Sequence, residues 1–525
     1  MSSARPSRSD ARSGGGQIGL AELMAALSLA IDVGMAQPIE QGLATCLLAM
    51  RLAGALGLGE AELIRVYYLA LLRHIGCTAY SRDVVALLGD ELTFRAEAAK
   101  VDFGRPEGVA FMLRHIGRAH PPLRRPGALA LLVTRGPRMF QEETRGACEV
   151  ARLLAERLGF DLDTRRDLEL VYERWDGKGF PGHAKGEALT VPVRVVRLAE
   201  DAELFHRLGG CEAVLGMLGR RAGRVHDPAF ADCFRQEASE LLAVLDTDSI
   251  WEDVLAAEPG PRPVLSDERL DQALRAMADF ADLKSPYTAG HSPGVAELTG
   301  SALSGCGLPA EDAAAGRRAA LLHDLGRAGV PAATWTKPGP LSRGEWEQVR
   351  LHPYHTERVL ARSAALRALG ALASMHHERL DASGYHRGVP GSLLPFAAQV
   401  LAAADAYHAM TEPRAHRPAL DPKAAADELR REVHAGRYSG QAVDAVLESA
   451  GHRVRRRLSR HVAGLTDREL EVLRLIARGL STRQVAEALT ISPRTADHHI
   501  ESIYAKIGVS TRAATALFAM QHDLL

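Results

Sequence analysis

The stretch GCGLPAEDAAAGRRAALLHDLG, Gly305 to Gly326, has a counterpart in the same chain: GALGLGEAELIRVYYLALLRHIG, Gly54 to Gly76. The register between them is constant, with Gln41 answering His291, Leu58 answering Leu308 and Arg73 answering His323, each 250 positions apart. Both place apolar residues at helical spacing after a glycine-bounded turn, which predicts a turn followed by a buried helix. Further on, ERWDGKGFPGHAKG (Glu173 to Gly186) answers ERLDASGYHRGVPG (Glu378 to Gly391). Two tandem copies of one helical domain are the simplest reading.

Outward from the repeat, the boundaries follow composition. Residues 1–17 are rich in Ser, Arg and Gly and read as a disordered start. The first copy spans 18–257, and the Pro/Gly-rich EPGPRPVLSD, 258–267, reads as a linker. The second copy spans 268–450, an Arg-rich connection covers 451–463, and a small third unit fills 464–525. A chain of 525 residues is too long for one core, in keeping with this division. Aromatics make up only 5% against 46% hydrophobic residues, which suits Ala/Leu-rich helices and an all-α fold.

Charge excludes one class of function. Lys+Arg is 64 against Asp+Glu 65, so a global basic field cannot drive nucleic-acid binding, and any such activity must come from a local patch. The six cysteines, at 46, 77, 148, 211, 233 and 306, contain no CxxC pair and read as reduced thiols. The first residues have no apolar stretch behind a basic start, and no apolar run is long enough to span a bilayer. The expectation is a cytoplasmic protein without a membrane partner.

The second copy carries, in order, His291, the pair His323-Asp324, His352, the pair His376-His377, and Asp405. A single such histidine is most often an ordinary core or surface residue. The ordered set, with two adjacent pairs, is the signal. Imidazole and carboxylate donors together suit Fe, Mn or Zn. A carboxylate among several imidazoles can bridge two cations, which would clamp a phosphoryl oxygen and acidify a bound water.

In PYTAGHS around His291, ALLHDLG around His323, KPGPLSRGEWEQVRLHP up to His352, HHERLDASGYHRG from His376 and AAADAYHAMTEPRAHRPAL around Asp405, the chain resembles the HD-GYP phosphodiesterases over about 180 residues. That resemblance implies two tandem HD-type all-α domains. It implies His291, His323, Asp324, His352, His376, His377 and Asp405 as metal ligands, two divalent ions (Fe or Mn favoured, Zn compatible), and cyclic di-GMP or another phosphoester as substrate. Asp324 and Arg327 take the catalytic positions, and Lys337, Arg414, Arg417, Gly384 and Tyr385 the substrate-binding ones. Guanidinium contact to phosphate is a sound role for the arginines.

Three positions depart from the family pattern. Arg327 stands where Lys is common, and it never gives up its proton. His386 replaces the proline of Gly-Tyr-Pro, removing a fixed φ. Tyr287 sits where members with three metals carry Glu, so two metals are expected. The first copy has lost the set altogether: Gln41, Arg73-His74 and Val171-Tyr172 replace the ligands, and only an acid near Glu200 or Asp201 remains. It reads as a structural or dimerisation domain, the alternative being a non-catalytic nucleotide sensor. His115 and His120 flank a segment without a second-copy counterpart and read as loop histidines.

The last unit, Leu465 to Leu525, resembles the LuxR/GerE helix-turn-helix, a four-helix domain, along its whole length. Thr466 and Glu469 form a T-x-x-E capping box ahead of the apolar face of Leu470, Leu473 and Ile476. Gly479 ends that helix, Ser481 opens the next, and Ser492-Pro493 starts a recognition helix running to about Ile507. Arg494, Thr495, His498, His499 and Lys506 are placed to face DNA, with Arg483 reaching the backbone. Thr511 to Met520 corresponds to the family's dimer surface. Asp497 departs from the basic residue usual there, and Arg453, Arg455, Arg456, Arg457 and Arg460 would supply attraction to phosphates. The expected function is therefore a signalling regulator joining a metal-dependent phosphohydrolase to a homodimeric reader of double-stranded DNA. The alternatives are a nucleotide-sensing transcription factor of weak turnover and a phosphohydrolase of another nucleotide.

Overall fold

The computed structural model describes residues 18–79, 87, 89–103, 105–119, 121–453, 462–477, 479–509, 515 and 518–519. The start of the chain, His120, most of the Arg-rich connection and most of the expected fourth helix of the last unit lie outside the described residues. Among the described residues there is no β-strand, only isolated bridges. The chain divides into two compact units, Met1–His452 and Arg453–Leu525.

The repeat is visible as architecture. The first copy begins with α1 (Leu20–Gly34), α2 (Gln41–Ala55) and α3 (Glu60–Leu72), continues through α4 (Glu91–Ala98), α5 (Pro106–Ala119) and α6 (Arg125–Leu158), and ends on α7 (Val191–Arg221) and shorter helices. In the second copy α8 (Asp267–Asp282), α9 (His291–Gly305) and α10 (Ala310–Leu322) repeat α1 to α3, followed by α11 (His352–Leu360) and α12 (Phe396–Thr411). The entry to the second helix is built alike in both. Glu40 and Gly290 precede it at φ 79° and 82°. An acid from the preceding helix, Asp32 or Asp282, accepts the amide of Gly42 at 3.0 Å or of Ser292 at 2.9 Å.

Two glycines expose where the copies diverge. A Cβ on Gly326 would lie 2.0 Å from the His352 carbonyl oxygen, and one on Gly76 would lie 1.9 Å from that of Ala147. Only glycine permits either approach. Ala147 therefore stands in the place of His352, at an offset of 205 where α3 and α10 differ by 250, so the first copy is 45 residues longer between these points. That extra length includes α4, α5 and the start of α6, with a small core of Leu87, Phe111, Met112, Ile116 and Met139. His115 lies on α5 beside Phe94 and Phe111, so it is a packed helical residue and not the loop histidine its sequence context suggested.

The two copies are one unit because of α1. Its sequence LAELMAALSLAIDVG is apolar on nearly every face, and Leu23, Met24, Ala25, Ala26 and Leu27 are fully buried. A helix apolar all round must be interior. It packs on α2 and α3 on one side and on Leu325–Gly329 and α11 on the other. A Cβ on Gly329 would fall 2.5 Å from Val33 of α1, and Ser363 donates to Glu22 at 2.6 Å. The stretch 258–267 is equally engaged: Leu20 donates to Pro263 at 2.9 Å and Leu265 to Ile18 at 3.0 Å. The two copies thus share a core across what composition marks as a linker.

The C-terminal unit has α13 (Asp467–Ala477), α14 (Thr482–Leu489) and α15 (Pro493–Ile507) around Leu465, Leu473, Ile476, Val485, Ala496 and Ile503. Thr466 and Glu469 close the expected capping box, at 2.6 and 3.2 Å. Ser481 and Gln484 form a second one, and Ser492 caps α15 with Pro493 in its first turn. Gly479, at φ 88°, ends the first helix.

Candidate metal centre

The predicted ligands of the second copy converge in space from five places in the chain. His291 opens α9, His323-Asp324 follows α10, His352 opens α11, His376-His377 lies in the turn before the Gly384 loop, and Asp405 is on α12. Except for His377, which is partly exposed, all are buried. Asp324 is at the centre. Its Oδ2 faces His323 Nε2 at 3.1 Å and His291 Nε2 at 3.7 Å. Its Oδ1 faces His352 Nε2 at 3.3 Å and His376 Nε2 at 3.6 Å. Asp405 lies 3.1 Å from His291 Nε2 and 3.7 Å from His377 Nδ1. Two donor groups, His291–His323–Asp324 and His352–His376–His377, lie on the two sides of one carboxylate, and a third, His291–His408–Glu412, adjoins the first.

Helix geometry fixes the direction of each imidazole. His323, His352 and His376 each donate Nδ1–H to the carbonyl three residues back, at 2.7, 2.6 and 2.7 Å. This sets the tautomer and turns Nε2 inward as an acceptor, with His352 Nε2 and His376 Nε2 facing each other at 3.0 Å. His291 is held instead by Glu412, whose Oε2 is 2.9 Å from Nδ1. Burial drives His352, His376 and His377 well toward the neutral form that binds metal. Burial pushes Asp324 up, but Arg327, His323 and His352 outweigh it and hold the carboxyl well below its usual range. His291 is pulled down by burial, yet Asp405 and Glu412 raise it to about 9. Inside this shell both Asp324 oxygens and His323 Nε2 make no hydrogen bond although they are fully buried. Arg327, 2.9 Å from Asp324 Oδ2, offsets part of the cost of burying the carboxylate, and a cation between these atoms would offset the rest. The donor set fits divalent metal.

Residues 275–441 match the family model described as HD domain, and residues 463–519 match that of the bacterial regulatory proteins of the luxR family. The chain is 30% identical over 405 residues to the 3′3′-cGAMP-specific phosphodiesterase 3 of Vibrio cholerae, covering 76% of this chain and 88% of that one. This chain belongs to the HD-GYP phosphodiesterases. The cyclic di-GMP phosphodiesterase of Thermotoga maritima is 33% identical over 34% of this chain and 48% of its own length. A crystal structure of a cyclic GMP-AMP-specific phosphodiesterase of Vibrio cholerae superposes with a TM-score of 0.59 at 25% identity, covering 84% of this chain and 99% of that one.

As HD-GYP phosphodiesterases are metal-dependent phosphohydrolases, the surroundings of the centre bear on phosphate binding. Arg327 is buried, lies 2.9 Å from Asp324 Oδ2 and stacks over Trp335 at 4.8 Å. Arg414 donates to the Tyr287 carbonyl at 2.8 Å and to Glu412 at 3.0 Å, close beside His291. Lys337 pairs with Glu345 at 2.6 Å. Arg417 differs from the expectation: its guanidinium donates to the carbonyls of Ala409 and Met410 at the end of α12 and of Glu412 and Pro418 in the loop that follows. Gly384 sits where a Cβ would meet the backbone of His377 and Glu378 at 2.5 Å, and the adjacent Tyr385 ring lies 4.5 Å from that of His377. The loop keeps its shape without the family proline because Glu378 accepts the amides of Arg387 and Val389 at 2.8 and 2.9 Å. Sequence reasoning passed over Glu412. Its only signal is its place one turn after His408 and seven residues beyond Asp405, which is legible only once α12 is known to end beside His291.

The first copy is filled by protein charge. Arg73, in the position of His323, pairs with Glu200, in the position of Asp405. Glu200 also lies 3.2 Å from His74 and from Arg197. Tyr172, in the position of His377, hydrogen-bonds His74 Nδ1 at 2.6 Å. Asp201 faces away to Arg221 and His226. A guanidinium thus occupies the place of a metal cation.

In the LuxR-type unit Arg494, Thr495 and His498 are exposed on α15, His499 is half-buried, and Arg483 is exposed on α14 beside Glu487 at 3.2 Å. Lys506 is otherwise engaged: its ammonium binds Glu469 at 2.7 Å, and Ser502 donates to the same carboxylate at 2.6 Å. No helix of the described residues is long and apolar enough to cross a membrane.

Proposed function

We propose that the chain hydrolyses a cyclic dinucleotide at a two-cation centre in its second copy and reads double-stranded DNA as a homodimer through its C-terminal unit. The observation that carries this is Asp324, buried and without hydrogen bonds at either oxygen, with one donor group on each side. Fe or Mn, with Zn also compatible, would supply Lewis acidity to a phosphoryl oxygen and acidify a bound water. Asp324 would be shared between the two positions; His291, His323 and Asp405 would complete one, and His352, His376 and His377 the other. Arg327 is held by Trp335 at the edge of the centre and presents a fixed positive charge to the scissile phosphate. Arg414 and Lys337 would hold the other phosphate, and the Gly384-Tyr385 loop walls the His377 side. A relative named for 3′3′-cGAMP matches over 76% of this chain, a cyclic di-GMP phosphodiesterase of Pseudomonas aeruginosa over 56%, and the Thermotoga one over 34%. That supports 3′3′-cGAMP over the cyclic di-GMP that the motifs alone suggested. Metal content of anaerobically purified protein, with hydrolysis of both dinucleotides on the same sample, tests the reading. About two metals per chain, with turnover lost in Asp324→Ala, is expected. A metal-free chain, or bound metal without hydrolysis of either dinucleotide, would sink it.

A further inference from the structure

The longer segment of the first copy contacts the two stretches of chain that lead to His291 and follow Asp324 in the second. Glu91, in the first turn of α4, is 3% exposed, and its Oε1 accepts two hydrogen bonds. One comes from Lys284 Nζ at 2.9 Å and one from the amide of Ala332 at 2.8 Å. Lys284 is itself 1% exposed and opens the turn that delivers His291. Ala332 follows the segment that carries Asp324 and Arg327. One carboxylate of the degenerate copy therefore ties together the two segments of chain that bring His291 and Asp324, two members of one donor group.

The tie continues in both directions. In the Lys284 turn, the Tyr287 carbonyl accepts from Arg414, which also donates to Glu412 on His291. One turn along α4, Arg95 donates to the carbonyls of Gly34, at 3.2 Å, and of Cys77. Cys77 borders the Arg73–Glu200 cluster and hydrogen-bonds Tyr172. A buried ammonium and carboxylate are retained at a desolvation cost that an apolar pair of similar volume would avoid, so their worth lies in position more than in stability.

We infer that Glu91 is a positioning residue supplied by the degenerate copy to the metal centre of the second copy, acting through Lys284 and Ala332 on the segments that present His291 and Asp324. The inference rests on the proposed metal-centre reading. A removed copy-to-copy tie loosens the spacing between the two segments, and the metal shell tolerates little such loosening.

The test compares full-length wild type, Glu91→Ala and the double variant Glu91→Gln/Lys284→Met, which removes both charges and leaves no buried ion unpaired. Each is stripped with chelator and titrated with Mn(II) at low temperature, after circular dichroism has established the helical fold. The expected result is Mn(II) affinity lowered roughly tenfold in the folded double variant, with kcat reduced at saturating metal and KM little changed. Affinity equal to wild type in the folded double variant overturns the inference and leaves the metal-centre reading standing. Wild type that takes up no Mn(II) overturns both. Should Glu91→Ala unfold while the double variant folds with weakened Mn(II) binding, the positioning role is upheld, because stability and metal affinity have then been separated.

Discussion

Glu412 Oε2 lies 2.9 Å from His291 Nδ1, on the side of the ring opposite the Nε2 that faces Asp405. Unlike His323, His352 and His376, His291 does not bond its Nδ1 to the carbonyl three residues back, that of Thr288, which accepts the His291 amide at 2.9 Å. The Glu412 carboxylate holds the ring instead, and it is oriented in turn by Arg414 and His408. A carboxylate behind a metal-binding imidazole fixes the tautomer and raises basicity at the other nitrogen. Glu412→Gln should therefore weaken metal binding by about 10- to 100-fold with the fold intact. Competition with a chromophoric chelator measures it, and unchanged affinity would refute the role.

Arg73→Ala is expected to act on stability alone. The guanidinium is buried beside Glu200, and burial pushes its pKa down to about 9, so removing it leaves a carboxylate short of a partner. Arg197 remains within 3.2 Å, which places the cost near the lower end of that for breaking a buried pair, about 3 kcal/mol. Urea unfolding should shift to lower midpoint while metal content per chain stays constant. Gain or loss of a metal would show that the first copy is itself a metal site.

The LuxR-type unit should be acid-sensitive through Glu469. Burial raises this carboxyl, but hydrogen bonds from Lys506, Ser502 and Thr466 prevail and hold it at about 2. A folded value below the unfolded one means the stabilisation is complete above the unfolded value of about 4.3 and is lost as pH falls toward 2. Hydrogen exchange of residues 465–507 in full-length protein, corrected for intrinsic rates, should show Glu469→Gln less protected than wild type at pH 7. The gap should begin to narrow below about pH 5 and close as pH approaches the folded value of about 2; a gap undiminished across that range would contradict the assignment.

DNA binding separates two residues that sequence alone groups together. Arg494 is exposed in the first turn of α15, whereas Lys506 is bound to Glu469. Arg494→Ala should cost about 1–3 kcal/mol of affinity for a selected duplex if it reads a base, or lower the salt slope by about one if it meets a phosphate. Lys506→Ala should lower the melting temperature of the unit and leave the salt slope alone. Fluorescence anisotropy across a salt series decides both.

The sequence by itself determined the duplication, the seven candidate residues that meet in the second copy and the limits of α15, because helical periodicity, caps, adjacent His-Asp and His-His pairs and a family resemblance need no tertiary partner to be recognised. The loss of the first site was legible for the same reason, since Val171 and Arg73 cannot ligate a cation. Tertiary structure alone decided which donors share an oxygen of Asp324, since five separate segments meet there. It decided that Arg417 and Lys506 are engaged internally, because a basic residue looks the same in sequence whether it faces a phosphate, a carbonyl or a carboxylate. It also replaced two separate domains by one body. A Pro/Gly-rich stretch signals a break in periodicity, but only packing shows that α1 is apolar on every side because both copies bury it.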